Sequence, residues 1–155
     1  MIDNNSISSS LFLADDDVND SFLFRDAIEQ ISKNLSLKIF KDGSELMDHL
    51  SNKRNAFPDF IFLDLNMPYK NGFDCLDEIR SDERLKNLRV IIYSTSSHID
   101  DIQEALNKGA TLYFAKSSTF QELVNRLTKI FAMNWDEFDP EARIEKFVIL
   151  DDVAF

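Results

Sequence analysis

The sequence predicts an α/β domain in which a parallel β-sheet lies between helices on both faces. Short apolar runs alternate along the chain with longer stretches whose apolar residues recur at helical spacing, so a helix separates each strand from the next. Two of the runs, DFIFL and RVIIY, are apolar almost throughout, as in strands that are buried on both faces. Strands joined by crossover helices run parallel, so the predicted architecture is a doubly wound sheet.

Each predicted element has a local signal. The first helix carries residues at helical spacing, namely Phe22, Leu23, Asp26, Ala27 and Ile31, and Gly109 ends the fourth helix. In chain order, the predicted strands cover 10–14, 37–40, 59–63, 89–93 and 112–115, and the predicted helices cover 20–32, 44–51, 73–81, 99–108 and 120–132. We therefore expect one domain over residues 9–132, a flexible N-terminus over 1–8, and an extension over 133–155 without a separate output domain.

The composition of the chain argues against several classes of function. The chain has 155 residues, of which 44% are hydrophobic, and its formal net charge is −11. A chain this acidic lacks the basic surface that nucleic acids or anionic membranes require. Cys75 is the single cysteine, which excludes an intramolecular disulfide and favours a reducing compartment. The polar N-terminus does not resemble a signal peptide, and no apolar run approaches the roughly 20 residues of a membrane span. We expect a cytoplasmic protein.

Polar residues follow the ends of four predicted strands. Ligands of such sheets bind beyond the carboxyl ends of the strands, where residues distant in sequence meet. The residues at these ends are Asp15 and Asp16 after the first strand, Asp64 after the third, Ser94 and Thr95 after the fourth, and Lys116 after the fifth. The sequence therefore predicts one polar site at this edge.

Carboxylates at a common point predict a divalent cation between them. Each close pair of like charges costs on the order of 1–4 kcal/mol at effective dielectric constants between those of water and a protein surface. Mg²⁺ takes oxygen ligands and commonly uses few protein carboxylates. Asp16 and Asp64 could each give one oxygen, Asp15 could hold a metal-bound water, and the backbone carbonyl of Asn66 could be a further ligand.

Asp64 has a second predicted use. A carboxylate can act as a nucleophile toward a phosphoryl group and form an aspartyl phosphate. Lys116 would provide a positive charge for the phosphoryl oxygens. The Ser94 hydroxyl and the backbone N–H of Thr95 would donate hydrogen bonds to them.

Each of these residues also has an ordinary interpretation. Acidic residues after a strand are usually solvated, a lone aspartate there is commonly a helix N-cap, and a lone lysine is usually on the surface. Their joint placement at one sheet edge favours a shared site.

With these residues in place, the chain resembles the receiver domain of two-component response regulators, in the single-domain form used in chemotaxis. The resemblance covers about residues 9–132 and is specific as a set. Its motifs are FLADDD with Asp15 and Asp16, FIFLDLNMP with Asp64, Asn66 and Pro68, NGFD with Gly72, VIIYS with Ser94, and YFAK with Tyr113 and Lys116.

The resemblance implies a flavodoxin-like sheet in the order 2-1-3-4-5. It also implies that Asp64 accepts a phosphoryl group, in an Mg²⁺-dependent reaction, from a sensor histidine kinase or a histidine phosphotransfer protein. Ser94 and Tyr113 would form the switch, in which the hydroxyl moves toward the phosphate and the ring rotates inward. The domain would catalyse only its own phosphorylation and dephosphorylation.

The sequence departs from the family pattern in three places: after Lys116, in a longer segment over residues 51–59, and in the C-terminal extension. Ser117 follows Lys116 where the family usually has proline after a cis peptide bond, and a cis bond to another residue costs about 2.5–4 kcal/mol. The extension carries Phe131, Trp135 and Phe138 on one helical face, so the last helix could continue or its continuation could pack back. Residues 147–150, FVIL, could form a strand, cover the protein's own apolar surface, or contact a partner or second copy.

Two other functions remain alternatives. An adaptor with this fold would bind partners without being phosphorylated. A phosphohydrolase with an aspartyl nucleophile usually carries a second aspartate two residues later, where this chain has Asn66. The sequence leaves open the cognate kinase, the downstream protein, the lifetime of the phosphorylated state and homodimerisation.

Overall fold

The computed structural model describes residues 8–116, 119–137 and 148–149. The elements in chain order are β1 (Ser9–Ala14), α1 (Val18–Ile31), β2 (Leu35–Phe40), α2 (Gly43–Ser51), β3 (Phe60–Leu63), α3 (Gly72–Ser81), β4 (Arg89–Ser94), α4 (Ile99–Asn107), β5 (Leu112–Ala115), α5 (Phe120–Ala132), a 3₁₀ turn (Trp135–Glu137) and β6 (Val148–Ile149). Every predicted strand and helix is present, with ends that differ by at most two residues.

The strands form one parallel sheet in the order β2-β1-β3-β4-β5-β6. Its first five members confirm the predicted order 2-1-3-4-5. The two residues of β6 lie within the FVIL segment and pair with β5, so part of that segment does form a strand. The crossover between β1 and β3 places their carboxyl ends side by side near the middle of the sheet, which is where the polar site lies.

Helices cover both faces of the sheet, as predicted. Successive strand residues point to opposite faces, so Leu11 and Leu13 pack toward α1 and α5, whereas Phe12 and Ala14 pack toward α2, α3 and α4. All four residues of β3 are buried. The two cores bury the central strands on both faces, and this packing sets the positions from which the following residues start.

The first helix turns one face toward the core of the domain. It begins at Val18 rather than residue 20, with the Asp17 side chain accepting a hydrogen bond from the backbone N–H of Asp20. Ala27 belongs to the buried face as expected, but Phe22 and Leu23 are 61% and 45% exposed. The helical spacing of Phe22 and Leu23 helped to predict the helix, but their side chains do not face the core. Phe24 and Ile28 lie on the same helical face as Ala27 and are buried with it. A helix packs only one of its faces against the sheet, so Phe22 and Leu23 face outward.

The chain packs back on itself after α5. Trp135 lies in the 3₁₀ turn, and its indole N–H donates to the backbone oxygen of Ile130 at 2.9 Å. Its ring lies 5.1 Å from the ring of Phe60 at the start of β3 and 5.1 Å from the guanidinium of Arg89. The last helix therefore does not continue through Trp135, and its continuation contacts the α1/α5 side of the core.

Some sequence predictions lie outside the described residues. These are the flexible N-terminus over residues 1–7, the peptide between Lys116 and Ser117, and the place of Phe138. Within the described part of the chain, no helix has both the length and the apolar character needed to cross a membrane.

Candidate functional site: an acidic cluster with a buried lysine

Backbone hydrogen bonds between neighbouring strands fix the positions of Asp15 and Asp64. The backbone N–H of Asp15 donates to Phe40 at 3.0 Å, and that of Asp64 donates to Ala14 at 3.0 Å. The ladder therefore continues one residue past β1 and β3, which brings both side chains to the same edge. Their exposed fractions are only 2% and 4%. Residues of this type are rarely so buried without a charged partner.

Asp16 completes the acidic cluster from the solvent side. It is exposed, and one carboxylate oxygen from each of Asp15, Asp16 and Asp64 lies within 4.8 Å of the others. Backbone N–H groups orient two of the side chains: Asp17 donates to Asp15 Oδ1 at 2.9 Å, and Asn66 donates to Asp64 Oδ1 at 3.4 Å. The cluster therefore has two fixed carboxylates and one accessible carboxylate.

The cluster suits a divalent cation. Its donors are all oxygen atoms, which hard cations prefer. Asp15 Oδ2 is buried and accepts no directed hydrogen bond from the described residues, although Lys116 Nζ lies 2.9 Å away as an ion-pair partner. Two buried carboxylates and one exposed carboxylate still outweigh a single ammonium, so a cation entering from the Asp16 side would relieve the remaining repulsion.

Lys116 provides the positive charge of the site. Its backbone N–H donates to Ser94 at 2.7 Å, and its side chain is 9% exposed. The ammonium lies 2.7 Å from Asp20 Oδ2, 2.9 Å from Asp15 Oδ2 and 3.6 Å from Asp64 Oδ2. Asp20 is a partner of Lys116 that the sequence motifs did not predict. An acidic residue in the first turn of the helix after the acidic pair was the available signal.

Burial decides the protonation of the acids. Desolvation raises the pKa of Asp64 to about 7 against the opposing charge of Lys116, and the neighbouring Asp15 raises it further. Desolvation likewise raises the pKa of Asp15, although Lys116 and the Asp17 N–H oppose this. Burial alone would lower the pKa of Lys116, but hydrogen bonds and charge from the surrounding carboxylates raise it overall. Lys116 is therefore charged at neutral pH, and Asp64 carries less than its full charge.

The two predicted switch residues are both buried, on neighbouring strands. Ser94 is 0% exposed, and its hydroxyl oxygen accepts a hydrogen bond from the Ser96 N–H at 3.1 Å. The ring of Tyr113 is 0% exposed, and its hydroxyl donates to the Ser96 carbonyl at 2.8 Å. Thr95 and Asn66 lie at the same edge and are exposed. The structure thus places all the predicted site residues at this edge, with the three aspartates and Lys116 in the tightest group.

A 2-1-3-4-5 parallel sheet with acids after β1 and β3 and a lysine after β5 defines the receiver class of α/β domains. Residues 11–128 match the sequence profile of the family described as "Response regulator receiver domain". The chain belongs to the response regulator receiver family, which confirms the resemblance drawn from its motifs.

Individual relatives agree with this assignment. The chain is 32% identical to the chemotaxis protein CheY of Pseudomonas aeruginosa over 114 residues, which are 74% of this chain and 92% of that protein. It spans half the length of the nitrate/nitrite response regulator NarL of Escherichia coli, to which it is 31% identical over 111 residues, 71% of this chain.

Solved structures of response regulators share the fold. The Mn²⁺-bound form of the response regulator Rcp1 superposes with a TM-score of 0.74 and 26% identity, covering 84% of this chain and 97% of that one. The phosphorylated cyanobacterial phytochrome response regulator RcpA superposes with a TM-score of 0.72 and 33% identity, covering 79% and 91%.

Proposed function

We propose that this chain is a phosphoacceptor of the receiver type, with Asp64 as the acceptor. The observation that carries the proposal is the position of the Asp64 carboxylate, which is buried beside two other acids and 3.6 Å from the Lys116 ammonium. A buried carboxylate within reach of a fixed positive charge suits the transfer of a phosphoryl group, where positioning and charge neutralisation provide most of the catalysis.

The proposed donor is a phosphohistidine on a sensor kinase or a phosphotransfer protein. An Asp64 oxygen forms a bond to phosphorus while the P–N bond of the donor breaks, and the histidine leaves with the electron pair and takes up a proton. Lys116 offers its ammonium to the phosphoryl oxygens, and Ser94 and the Thr95 N–H are proposed to donate hydrogen bonds to them.

We assign the cation site to Asp15, Asp16, Asp64 and the backbone carbonyl of Asn66. Mg²⁺ held there would neutralise charge on the acceptor and on the arriving phosphoryl group. The similar structure of Rcp1 is a Mn²⁺-bound form and that of RcpA is a phosphorylated form, and both support this proposal by similarity.

The proposed output is a change at Ser94 and Tyr113. A hydrogen bond from the Ser94 hydroxyl to a phosphoryl oxygen would pull the loop after β4 toward the phosphate. Tyr113 already contacts this loop through its hydrogen bond to the Ser96 carbonyl. The altered surface would then bind a downstream protein in the cytoplasm. We do not propose turnover of external phosphate esters, because Asn66 cannot act as the acid or base that such hydrolysis commonly uses.

Intact mass tests the acceptor directly. After incubation with a small phosphodonor such as acetyl phosphate and Mg²⁺, we expect one added phosphoryl group on the wild type and on Asp48→Asn, an exposed control on α2. We expect none on Asp64→Asn or in the presence of a chelator. Equal labelling of Asp64→Asn would contradict the assignment of Asp64, and no labelling of any variant would favour the adaptor alternative.

A further inference from the structure

The ammonium of Lys116 makes its shortest described contact with a residue that the proposed phosphoryl-transfer chemistry does not use. Asp20 Oδ2 lies 2.7 Å from Lys116 Nζ, in a hydrogen bond between side chains 96 positions apart in the sequence. Asp20 belongs neither to the motifs that carry the family resemblance nor to the group of three acids with mutually close oxygens. Its contact with the lysine therefore needs its own explanation.

Asp20 is held firmly by the structure around it. It lies in the first turn of α1, and its backbone N–H donates to the capping carboxylate of Asp17 at 3.0 Å. The backbone N–H of Asp17 in turn donates to Asp15 Oδ1 at 2.9 Å. A continuous set of hydrogen bonds thus connects Asp15 to the helix start, and this set fixes the place from which the Asp20 side chain reaches Lys116.

The contact affects how much of the lysine charge reaches Asp64. A lysine ammonium has three N–H donors, and here carboxylates at 2.7 and 2.9 Å are its nearest described partners, ahead of Asp64 at 3.6 Å. An anion attached to Asp64 would compete with these carboxylates for the charge of the ammonium. Asp15 also belongs to the cluster of three acids, whereas Asp20 lies outside this cluster. Asp20 therefore competes with the anion only for the Lys116 ammonium.

An acid in the first turn of a helix commonly serves only the helix dipole and faces solvent. Asp20 instead has a side chain that is 29% exposed and bonds a lysine that is 9% exposed. We propose that Asp20 is a positioning residue for the phosphoryl site: it anchors Lys116 to α1 and thereby lowers the affinity of the site for an anion on Asp64. This inference rests on the proposed phosphoacceptor function.

The test compares three variants of the full chain. Asp20→Asn keeps the shape of the side chain and removes its charge, whereas Asp20→Glu keeps the charge. Asp17→Asn removes one charge from the same loop without a contact to Lys116, and asparagine still caps a helix.

One readout is the affinity for beryllofluoride, an anion that mimics a phosphoryl group on a carboxylate, measured by calorimetry with Mg²⁺ present. The other is the ¹H–¹⁵N signal of the Lys116 ammonium without Mg²⁺ or fluoride, assigned through its loss in Lys116→Arg.

Asp20→Asn should bind beryllofluoride about 3- to 10-fold more tightly, since a charge-assisted hydrogen bond no longer opposes the anion. Asp17→Asn and Asp20→Glu should stay within about twofold of the wild type. In the wild type, burial and hydrogen bonding should slow the exchange of the Lys116 ammonium protons with water and keep the signal visible. The signal should broaden or disappear in Asp20→Asn only.

Unchanged or weaker binding by Asp20→Asn, or equal tightening by Asp17→Asn, would overturn the proposal, and so would an unchanged ammonium signal in Asp20→Asn. If the wild type binds no beryllofluoride, the proposed phosphoacceptor function fails. The ammonium signal alone then decides whether Asp20 anchors Lys116.

Discussion

At the scale of single residues, Asp64 combines two conflicting requirements. As the proposed acceptor, it would have to be buried for the charges around it to act strongly on an arriving phosphoryl group, yet burial disfavours its own charged form. Lys116 offsets part of this cost, and the remainder appears as the pKa of about 7 for Asp64. The site is therefore unfavourable for the stability of the metal-free protein, as is common where a structure is built for chemistry.

The raised pKa of Asp64 predicts how the stability of the metal-free protein depends on pH. Between the usual value of 3.8 and about 7, the folded protein retains a proton that the unfolded chain has lost. The free energy of unfolding should therefore decrease as pH rises through this window. Urea unfolding at pH 5.5 and pH 8 in the presence of a chelator should show this decrease.

Asp64→Asn should flatten that dependence and be more stable than the wild type at pH 8, by on the order of 1–3 kcal/mol. Some dependence should remain, because the pKa of Asp15 is also raised. The exposed Asp48→Asn variant is the control and should follow the wild type. A steeper dependence in Asp64→Asn would show that Lys116 stabilises the charged form of Asp64 more than burial disfavours it.

At the scale of elements, α3 approaches the backbone of Asp64 so closely that only glycine fits at its start. A Cβ atom on Gly72 would overlap the backbone oxygen of Asp64 and lie 2.9 Å from Cα of Leu65. The backbone N–H of Gly72 also donates to Leu65 at 3.0 Å. The helix therefore supports the loop that carries Asp64 and Asn66.

Gly72→Ala should push α3 away from that loop. We expect a loss of about 1–3 kcal/mol in stability from the overlap and a lower Mg²⁺ affinity, because the Asp64 loop must shift. Ser81→Ala at the exposed end of the same helix is a matched control and should change neither quantity. Urea unfolding measures the change in stability, and calorimetric titration measures the Mg²⁺ affinity. An unchanged Mg²⁺ affinity in Gly72→Ala would show that the contact between α3 and the Asp64 loop does not affect the cation site.

The turn after α5 is a second element whose packing can be tested. Trp135 bonds Ile130 and packs on Phe60 and Arg89, so Trp135→Ala should cost about 1–3 kcal/mol of stability. Phe22→Ala removes an aromatic ring that is 61% exposed on α1 and should cost less than about 0.5 kcal/mol. Equal losses in thermal or urea unfolding would contradict either the packing of Trp135 or the orientation of α1.

At the scale of the whole molecule, cation binding should act as a stability switch. A ligand that binds only the folded state stabilises it by about 1.4 kcal/mol for each tenfold rise in its concentration above Kd. Because protons compete with the cation at Asp15 and Asp64, the stabilisation should be larger at pH 8 than at pH 5.5.

Thermal unfolding across a Mg²⁺ series should therefore show a midpoint that rises with the logarithm of Mg²⁺ concentration. Asp16→Asn removes the exposed acid of the cluster and should abolish most of this rise, whereas Asp48→Asn should retain it. An equal response of both variants would indicate general screening by salt rather than a site.

The sequence alone determined the architecture and the sheet edge at which the predicted site residues lie. Strand runs such as FIFL and RVIIY, separated by helical periods, dictate a parallel sheet, and a parallel sheet brings Asp15, Asp64 and Lys116 to one edge whatever the details of packing. These predictions rest on local periodicity and on a topological rule, which is why they held.

Only the tertiary structure decided the pairing of charges and the phase of the first helix. Nothing in the sequence shows that Asp20 is the nearest described carboxylate to Lys116, because that distance depends on where α1 begins and how it packs on the sheet. For the same reason Phe22 faces outward while Phe24 faces the core. Local pattern fixes which residues can meet, and only three-dimensional packing fixes which of them lie within hydrogen-bonding distance.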